Sequence, residues 1–234
     1  MKIFRKIRQQ LVTENKISKY LLYATGEIIL VVIGILIALN INNRNEQQSK
    51  SDAELNFYHN TKEQLLDDLS NIESNIQYNN RYVKQFKYAV RIIELNDRSK
   101  KDSLSQIAVN IMTNSDFDRQ GNIYETMVNS GDVKLLKNNK IIQGLRRLEE
   151  TYIYVNRMET IHFEAILSMI PDLIQTIRMY SNKVENEESL FGFKFQNFFV
   201  ISLKIMDEKN DAYYRTKSEI KSIIKLIDIE IKGK

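Results

Sequence analysis

The residues whose types and spacing could do chemistry begin with Glu159 and His162, which lie three positions apart. They fall on an apolar seam with helical spacing, and Glu-x-x-His is the ligand spacing of di-iron helical bundles. Such a centre needs a second Glu-x-x-His, but the only other histidine, His59, is preceded at that distance by Asn56. We therefore predict no metal site and no cofactor, and expect a hydrogen-bonded pair inside a bundle.

A second candidate is the acidic segment Asp116-Phe117-Asp118. Carboxylate oxygens bind hard cations, but the glycine and the distal glutamate of a calcium-binding loop are missing here. A polar loop is the expectation. The chain has no cysteine, which excludes disulfides, thiolate metal sites and cysteine nucleophiles. No catalytic constellation is visible, so the sequence does not predict an enzyme.

Charge is distributed unevenly along the chain. Of 34 basic and 30 acidic residues, the excess of four basic residues lies within residues 1–41, and the remainder is formally neutral. A nucleic-acid-binding domain would need a basic surface to neutralise phosphates. The balance gives no support for a nucleic-acid partner.

The elements that would position these residues begin with an apolar stretch, Leu21 to Ile41. At about 1.5 Å per residue a helix of this length crosses a bilayer core of about 30 Å. The alternative, a cleaved signal peptide, is disfavoured because Ala38-Leu39-Asn40 lacks the small-x-small cleavage pattern. We predict a lipid-embedded helix over residues 20–41 that follows a basic amphipathic segment over residues 1–19.

Flanking charge predicts the direction of insertion. Basic residues precede the apolar stretch, whereas acids and bases are mixed after it, so the basic side is expected to stay in the cytoplasm. We predict a single-pass protein of the cell inner membrane, with residues 42–234 exported to the periplasm.

Two features inside this stretch have alternative interpretations. Gly26, Gly34 and Ala38 share one helical face, which suits helix dimerisation, although small residues are common in membrane helices. Glu27 suits a proton relay or a polar contact between helices, or it is an acid tolerated near the headgroups. The sequence leaves both pairs of alternatives open.

Two segments resemble an uncharacterised Gram-negative family, domain-of-unknown-function family 6090. The first is KYLLYATGEIILVVIGILIALNINNRNE, from Lys19 to Glu46, and the second is IYETMVNSGDVKLLKN, from Ile123 to Asn138. The second is similar to the family's Tyr-Glu-x-x-x-x-Ser-Gly-Asp segment. The matching residues are Tyr124, Glu125, Ser130, Gly131 and Asp132. The resemblance implies one anchor and an exported helical domain, and it implies no activity.

The exported domain is predicted to be an all-α antiparallel bundle of long helices with coiled-coil-like packing. Apolar residues repeat with 3–4 spacing from Leu55 to Ile93, interrupted only by Lys62 and Asn79. Four substantial helices are expected, with short helices inserted in the middle. The last three cover residues 141–173, with a kink or break at Pro171, and about residues 194–207 and 211–231, after a solvated linker over residues 182–189.

Two short segments have local signals. Asn122 is predicted to cap a helix from Ile123 to Ser130, with Gly131 in the left-handed conformation after it. The aromatic stretch containing Phe191, Phe193 and Phe195 is either a contact surface for a partner or a cap buried against the core.

Three function classes follow. The first is a non-enzymatic scaffold or adaptor that works through contacts with a protein partner or with a second copy of itself, besides the lipid bilayer. The second is a membrane-anchored ligand sensor that signals through a partner protein. The third is an uncharacterised enzyme.

Overall fold

The structure, a computed structural model, describes residues 17–119 and 121–233, without the side chains of residues 17–20 and Tyr23. Most of the predicted amphipathic segment 1–19 therefore lies outside the described residues. The chain forms two compact units, Met1–Glu54 and Leu55–Lys234. The long helix α1 (Ile17–Glu94) begins in the first unit and ends in the second.

The first unit contains the apolar part of α1. Its large apolar side chains between Leu21 and Ile41 are exposed, including Leu30 at 74% and Leu36 at 59%. Water would solvate such a surface unfavourably, whereas lipid would not. By length and composition, α1 is the one helix among the described residues that could cross a membrane.

The residues of the predicted dimer face are exposed on this helix. A Cβ atom built on Gly26 or Gly34 would meet no other described atom within 4 Å, and Ala38 is exposed. Glu27 is half-buried in the same helix. The roles proposed for these residues stay predictions.

The second unit is helical, which confirms the predicted all-α class. After α1 the chain forms α2 (Lys101–Val109), α3 (Ile123–Ser130) and the long α4 (Asn139–Thr176). A two-residue antiparallel hairpin, β1 (Ile177–Arg178) and β2 (Lys183–Val184), leads to α5 (Glu187–Leu190) and the long α6 (Phe193–Lys232). Short 3₁₀ turns occupy Arg98–Lys100, Asn110–Met112 and Asp132–Lys134.

Contacts between side chains give the helix directions. Along α4 and α6, Lys194 pairs with Asp172 at one end, and Asn138 donates to Glu230 at the other. Along α1 and α6, the Phe86 and Phe199 rings lie 5.1 Å apart, and Lys62 pairs with Asp228. Helices α1 and α4 are therefore both antiparallel to α6.

The expectation of four substantial helices was wrong, because the described chain has three long helices in this bundle. The break predicted between Asp207 and Asp211 does not occur, and α6 runs through it. Lys209 and Asn210 lie where the break was predicted, and both side chains bond inward to other elements. The polar residues at this point therefore form contacts within the bundle.

One further local expectation is wrong, and another is wrong in part. The break predicted as one alternative at Pro171 does not occur, since α4 continues to Thr176, and the other alternative, a kink, stays a prediction. The expected linker over residues 182–189 instead contains β2 and the start of α5, and the Asn186 side chain caps α5 by accepting from Ser189 N at 3.0 Å. By contrast, Asn122 caps α3, and Gly131 follows it with φ 83°, as predicted.

The core consists of two apolar clusters separated by a polar layer. One cluster is centred on Phe86, Leu104 and Phe199, and the other on Tyr58, Leu145 and Ile220. Asn79, the second interruption of the apolar seam of α1, lies between them and donates to Met206 O at 2.8 Å. The same level of the bundle contains the buried polar residues of α4 and α6.

Candidate functional site

The polar layer contains a cluster of buried ionisable side chains from three parts of the fold. Helix α4 contributes Glu159 and His162, and α6 contributes Lys209 and Tyr213. The loop over residues 113–119, hereafter the 113–119 loop, lies against both helices. The four ionisable residues are each at most 4% exposed.

Glu159 is held through one of its two carboxylate oxygens. Oε1 accepts from Phe117 N at 2.9 Å and from the Tyr213 hydroxyl. The Tyr213 hydroxyl also lies 3.0 Å from Ser115 Oγ. Within the described part of the chain, Oε2 is buried and has no hydrogen-bond partner.

Lys209 and His162 meet at the side chain of Asn114. Lys209 Nζ donates to Asn114 Oδ1 at 2.8 Å and to Ser115 O at 3.1 Å. His162 Nδ1 lies 2.9 Å from the same Asn114 oxygen, while its Nε2 is buried without a partner among the described residues. The lysine thus fixes the start of the 113–119 loop against α6.

Contacts from α1 and α4 hold the rest of this loop. Asn75 and Asn71 of α1 donate to the carbonyls of Asp116 and Asp118, at 3.2 and 3.0 Å. Arg119 pairs with Glu149 of α4, Nη1 to Oε2 2.6 Å. Both backbone and side-chain partners therefore define the conformation of the loop, although it contains no regular secondary structure.

Burial changes the protonation of the cluster. It raises the pKa of Glu159 to about 7, against the hydrogen bond from Tyr213 and the positive charge of Lys209. It lowers the pKa of Lys209 to about 8, against the charges of Glu159 and Asp116. It also lowers the pKa of His162 to about 3, assisted by Lys209, and raises the pKa of Tyr213. Near neutral pH, His162 is uncharged and Glu159 is close to half ionised.

A cleft opens between the 113–119 loop and α4, with Glu159 in its wall. Its volume of about 450 Å³ lies in the range of small-molecule sites. The carboxylates of Asp116 and Asp118 line it, and none of its described lining residues is basic. The other lining residues are Asn114, Phe117, Asn156, Thr160 and Phe163.

The structure places the predicted chemical residues in this one region. Glu159 and His162 are both buried, but the expectation of a hydrogen bond between them was wrong, because each bonds to other residues. Asp116 and Asp118, expected in a plain polar loop, line the cleft. No group of three His, Cys, Asp or Glu residues in the described chain is placed to hold a metal ion.

Sequence reasoning missed Lys209 and Tyr213. Tyr213 has the same helical phase as the apolar residues Ile220 and Ile227, which could have indicated that it faces the core. Lys209 lies four residues before it on the same face. A lysine at a core position indicates a buried polar cluster, because lysine is almost never fully buried without partners.

The family-like segment forms part of a second, smaller cleft. Ile123, Thr126, Met127 and Asp132 of this segment, with the preceding Gly121 and Asn122, line about 350 Å³ of space against α1. Asn122 Nδ2 donates to Glu125 Oε2 at 2.9 Å, Ser130 Oγ donates to Asp132 Oδ2 at 2.6 Å, and Tyr124 packs against the core. The local bonds account for these polar side chains.

The aromatic stretch is mostly core. Phe191 is 8% exposed and Phe195 is fully buried, so neither is available as a partner contact. The Arg98 guanidinium lies 4.3 Å from the centre of the Phe191 ring and covers it. Phe193, at 77% exposed, is the one member of the predicted contact that lies on the surface.

These features define a class: an all-α protein with one helix apolar enough to span a membrane and a three-helix bundle that contains a polar layer. A family model described as a family of unknown function (DUF6090) matches residues 27–215. The match covers more than half of the chain, so the chain belongs to this family. Neither the curated proteins nor the solved structures contain a significant match.

Proposed function

We propose that this protein is a non-enzymatic scaffold or adaptor of the cell inner membrane. The apolar part of α1 anchors it with the N-terminus in the cytoplasm, and the bundle lies in the periplasm. The exposed apolar residues of α1 support the anchor, and the basic residues before them support the direction.

An exposed apolar stripe on α4 carries the proposal of a protein partner. Ile153, Phe163, Leu167 and Ile174 are between 47% and 60% exposed. Ile153, Leu167 and Ile174 are separated by multiples of seven residues and so occupy the same heptad position. Phe163 lies four residues before Leu167, at the other apolar position of the heptad. These residues belong to one seam with 3–4 spacing, in which Asn156 and Thr160 are the polar members, and such a seam packs one helix against another in a coiled coil. An amphipathic helix of a partner protein is the occupant that fits this stripe.

Site-directed photocrosslinking in membranes tests the proposal. A photoreactive amino acid in place of Leu167 should crosslink to a different polypeptide, whereas one in place of the exposed Lys225 on α6 should not. Crosslinks only between copies of this chain would show self-association and would contradict the adaptor role. Equal crosslinking from both positions would show that the stripe has no special role.

The cleft beside Glu159 favours a second candidate function, a ligand sensor that signals through a partner. Phe163 belongs both to the cleft and to the apolar stripe. A ligand in the cleft would therefore touch a residue that the partner also contacts. In a sensor, the double substitution Asp116→Asn and Asp118→Asn should change the crosslinking yield at Leu167, whereas in a scaffold it should not.

A further inference from the structure

The cleft beside Glu159 is lined by three acidic side chains and, among the described residues, by no basic one. Asp116 and Asp118 are exposed at its rim, and Glu159 is in its wall. Lys209, whose charge interacts with Glu159 and Asp116, is buried, bonded to Asn114 and Ser115, and not part of the lining. The accessible lining is therefore acidic.

Glu159 itself provides an independent observation. It is 4% exposed, yet one of its carboxylate oxygens has no partner anywhere in the described residues. An unsatisfied buried acceptor costs about 1–3 kcal/mol, and more when it is charged. Because Glu159 lines the cleft, a hydrogen-bond donor that reaches this oxygen from the cleft would remove the cost.

The arrangement suits an organic cation better than a metal ion. The described acids do not converge on a point where three could share one ion, whereas a cavity of about 450 Å³ holds a small molecule. The half-exposed Phe163 ring offers an aromatic face, and aromatic faces attract cations and cover alkyl chains. The acidic rim can contact a second positive charge.

We propose that this cleft binds a small primary amine, whose ammonium group donates a hydrogen bond to Glu159 while its alkyl chain lies against Phe163. A linear diamine fits the arrangement, with its second ammonium group between Asp116 and Asp118. This inference names the ligand class of the proposed sensor and so rests on the second candidate function. Binding itself requires no partner protein.

Calorimetry on the full chain in lipid nanodiscs tests the proposal with 1,4-diaminobutane as the probe. We expect binding at pH 8 that weakens at least tenfold in Glu159→Gln. The matched control is Glu150→Gln, which removes an exposed acid from the same helix, and it should leave the affinity unchanged. Choline, which carries a positive charge but no N–H donor, should bind at least tenfold more weakly than the diamine.

Acidification supplies a second measurement. Between pH 8 and pH 6 a carboxyl with a pKa of about 7 goes from mostly ionised to mostly protonated. Diamine affinity should fall about tenfold over this interval in the unsubstituted protein, and much less in Glu159→Gln. The other charged or titratable groups that face Glu159 are Lys209, Tyr213 and Asp116, and all three remain in both proteins.

Three results would overturn the proposal: no diamine binding, equal binding of choline, or equal weakening by the two glutamate substitutions. If circular dichroism shows that Glu159→Gln does not fold, the exposed pair Asp116→Asn and Asp118→Asn serves in its place, and it should weaken binding at least tenfold. Failure of diamine binding leaves the crosslink at Leu167 unaffected. Loss of the ligand site is thus distinguishable from loss of the proposed partner contact.

Discussion

At the scale of single residues, the polar layer holds ionisable groups whose burial decides their charge. Burial lowers the pKa of Lys209 to about 8, and the negative charges of Glu159 and Asp116 oppose this effect. His162 has one bonded nitrogen and one buried nitrogen without a partner in the described chain, so a second proton on the ring would have no acceptor. The neutral imidazole is the form that this environment stabilises.

The folded state should therefore lose stability in acid through His162. Its pKa is lowered from 6.5 to about 3, so the unfolded chain binds a proton that the folded chain does not. The resulting stability is complete above pH 6.5 and is lost as the pH falls toward 3. Between pH 6.5 and pH 5, we expect the free energy of unfolding to fall by about 2 kcal/mol relative to His162→Gln.

Thermal or urea unfolding of the full chain in detergent micelles, at several pH values, measures this difference. Glutamine at position 162 does not titrate, so its profile isolates the histidine from Glu159, which titrates in both proteins. The matched control is His59→Gln, which removes an exposed imidazole. Parallel pH profiles for the unsubstituted protein and His162→Gln would contradict the prediction.

At the scale of elements, close packing between α4 and α6 depends on Gly144. A Cβ atom added there would lie 2.9 Å from Ile223 Cγ1, which is inside van der Waals contact. Gly144→Ala gains about 1 kcal/mol of helix propensity but forces a stiff β-branched side chain to move, which costs about 1–3 kcal/mol. We expect net destabilisation of about 1 kcal/mol.

A double-mutant cycle tests the cause. In an Ile223→Ala background the obstructing atom is absent, so Gly144→Ala should become neutral or stabilising. The free energy of unfolding of the four proteins gives the coupling directly. The same effect in both backgrounds would show that contact with Ile223 is not the reason for the glycine.

Some of the helices could be predicted from the sequence, and others could not. Apolar periodicity predicted α1 and α4, and capping residues predicted α3 with its Gly131 end. Asp207 to Asp211 was mistaken for a break because pattern reading assumes that polar residues face water. Lys209 faces Asn114, which is 95 residues away in the sequence, and no local signal reports such a contact. Glu159 and His162 were recognised from their spacing of three residues. Their hydrogen-bond partners were not recognised, because these partners are also distant in the sequence.

At the scale of the whole molecule, the charge distribution of the sequence and the exposure of apolar side chains in the structure both distinguish the two units. The sequence concentrates its excess positive charge before the apolar stretch, and the structure leaves the apolar side chains of that stretch uncovered among the described residues. The bundle, by contrast, buries most of its large apolar side chains in two clusters. The two units thus suit two different solvents, lipid and water.

Single-cysteine labelling should reveal the proposed topology, because the chain contains no cysteine of its own. Ser181→Cys lies in the exposed turn between β1 and β2 and should react with a membrane-impermeant maleimide in intact spheroplasts. Gln9→Cys precedes the apolar stretch and should react only after lysis. The reverse pattern would place the bundle in the cytoplasm, and labelling of both before lysis would show that the chain does not span the membrane as proposed. The labelled bundle would then also tell which solution, periplasmic or cytoplasmic, supplies a ligand to the cleft beside Glu159.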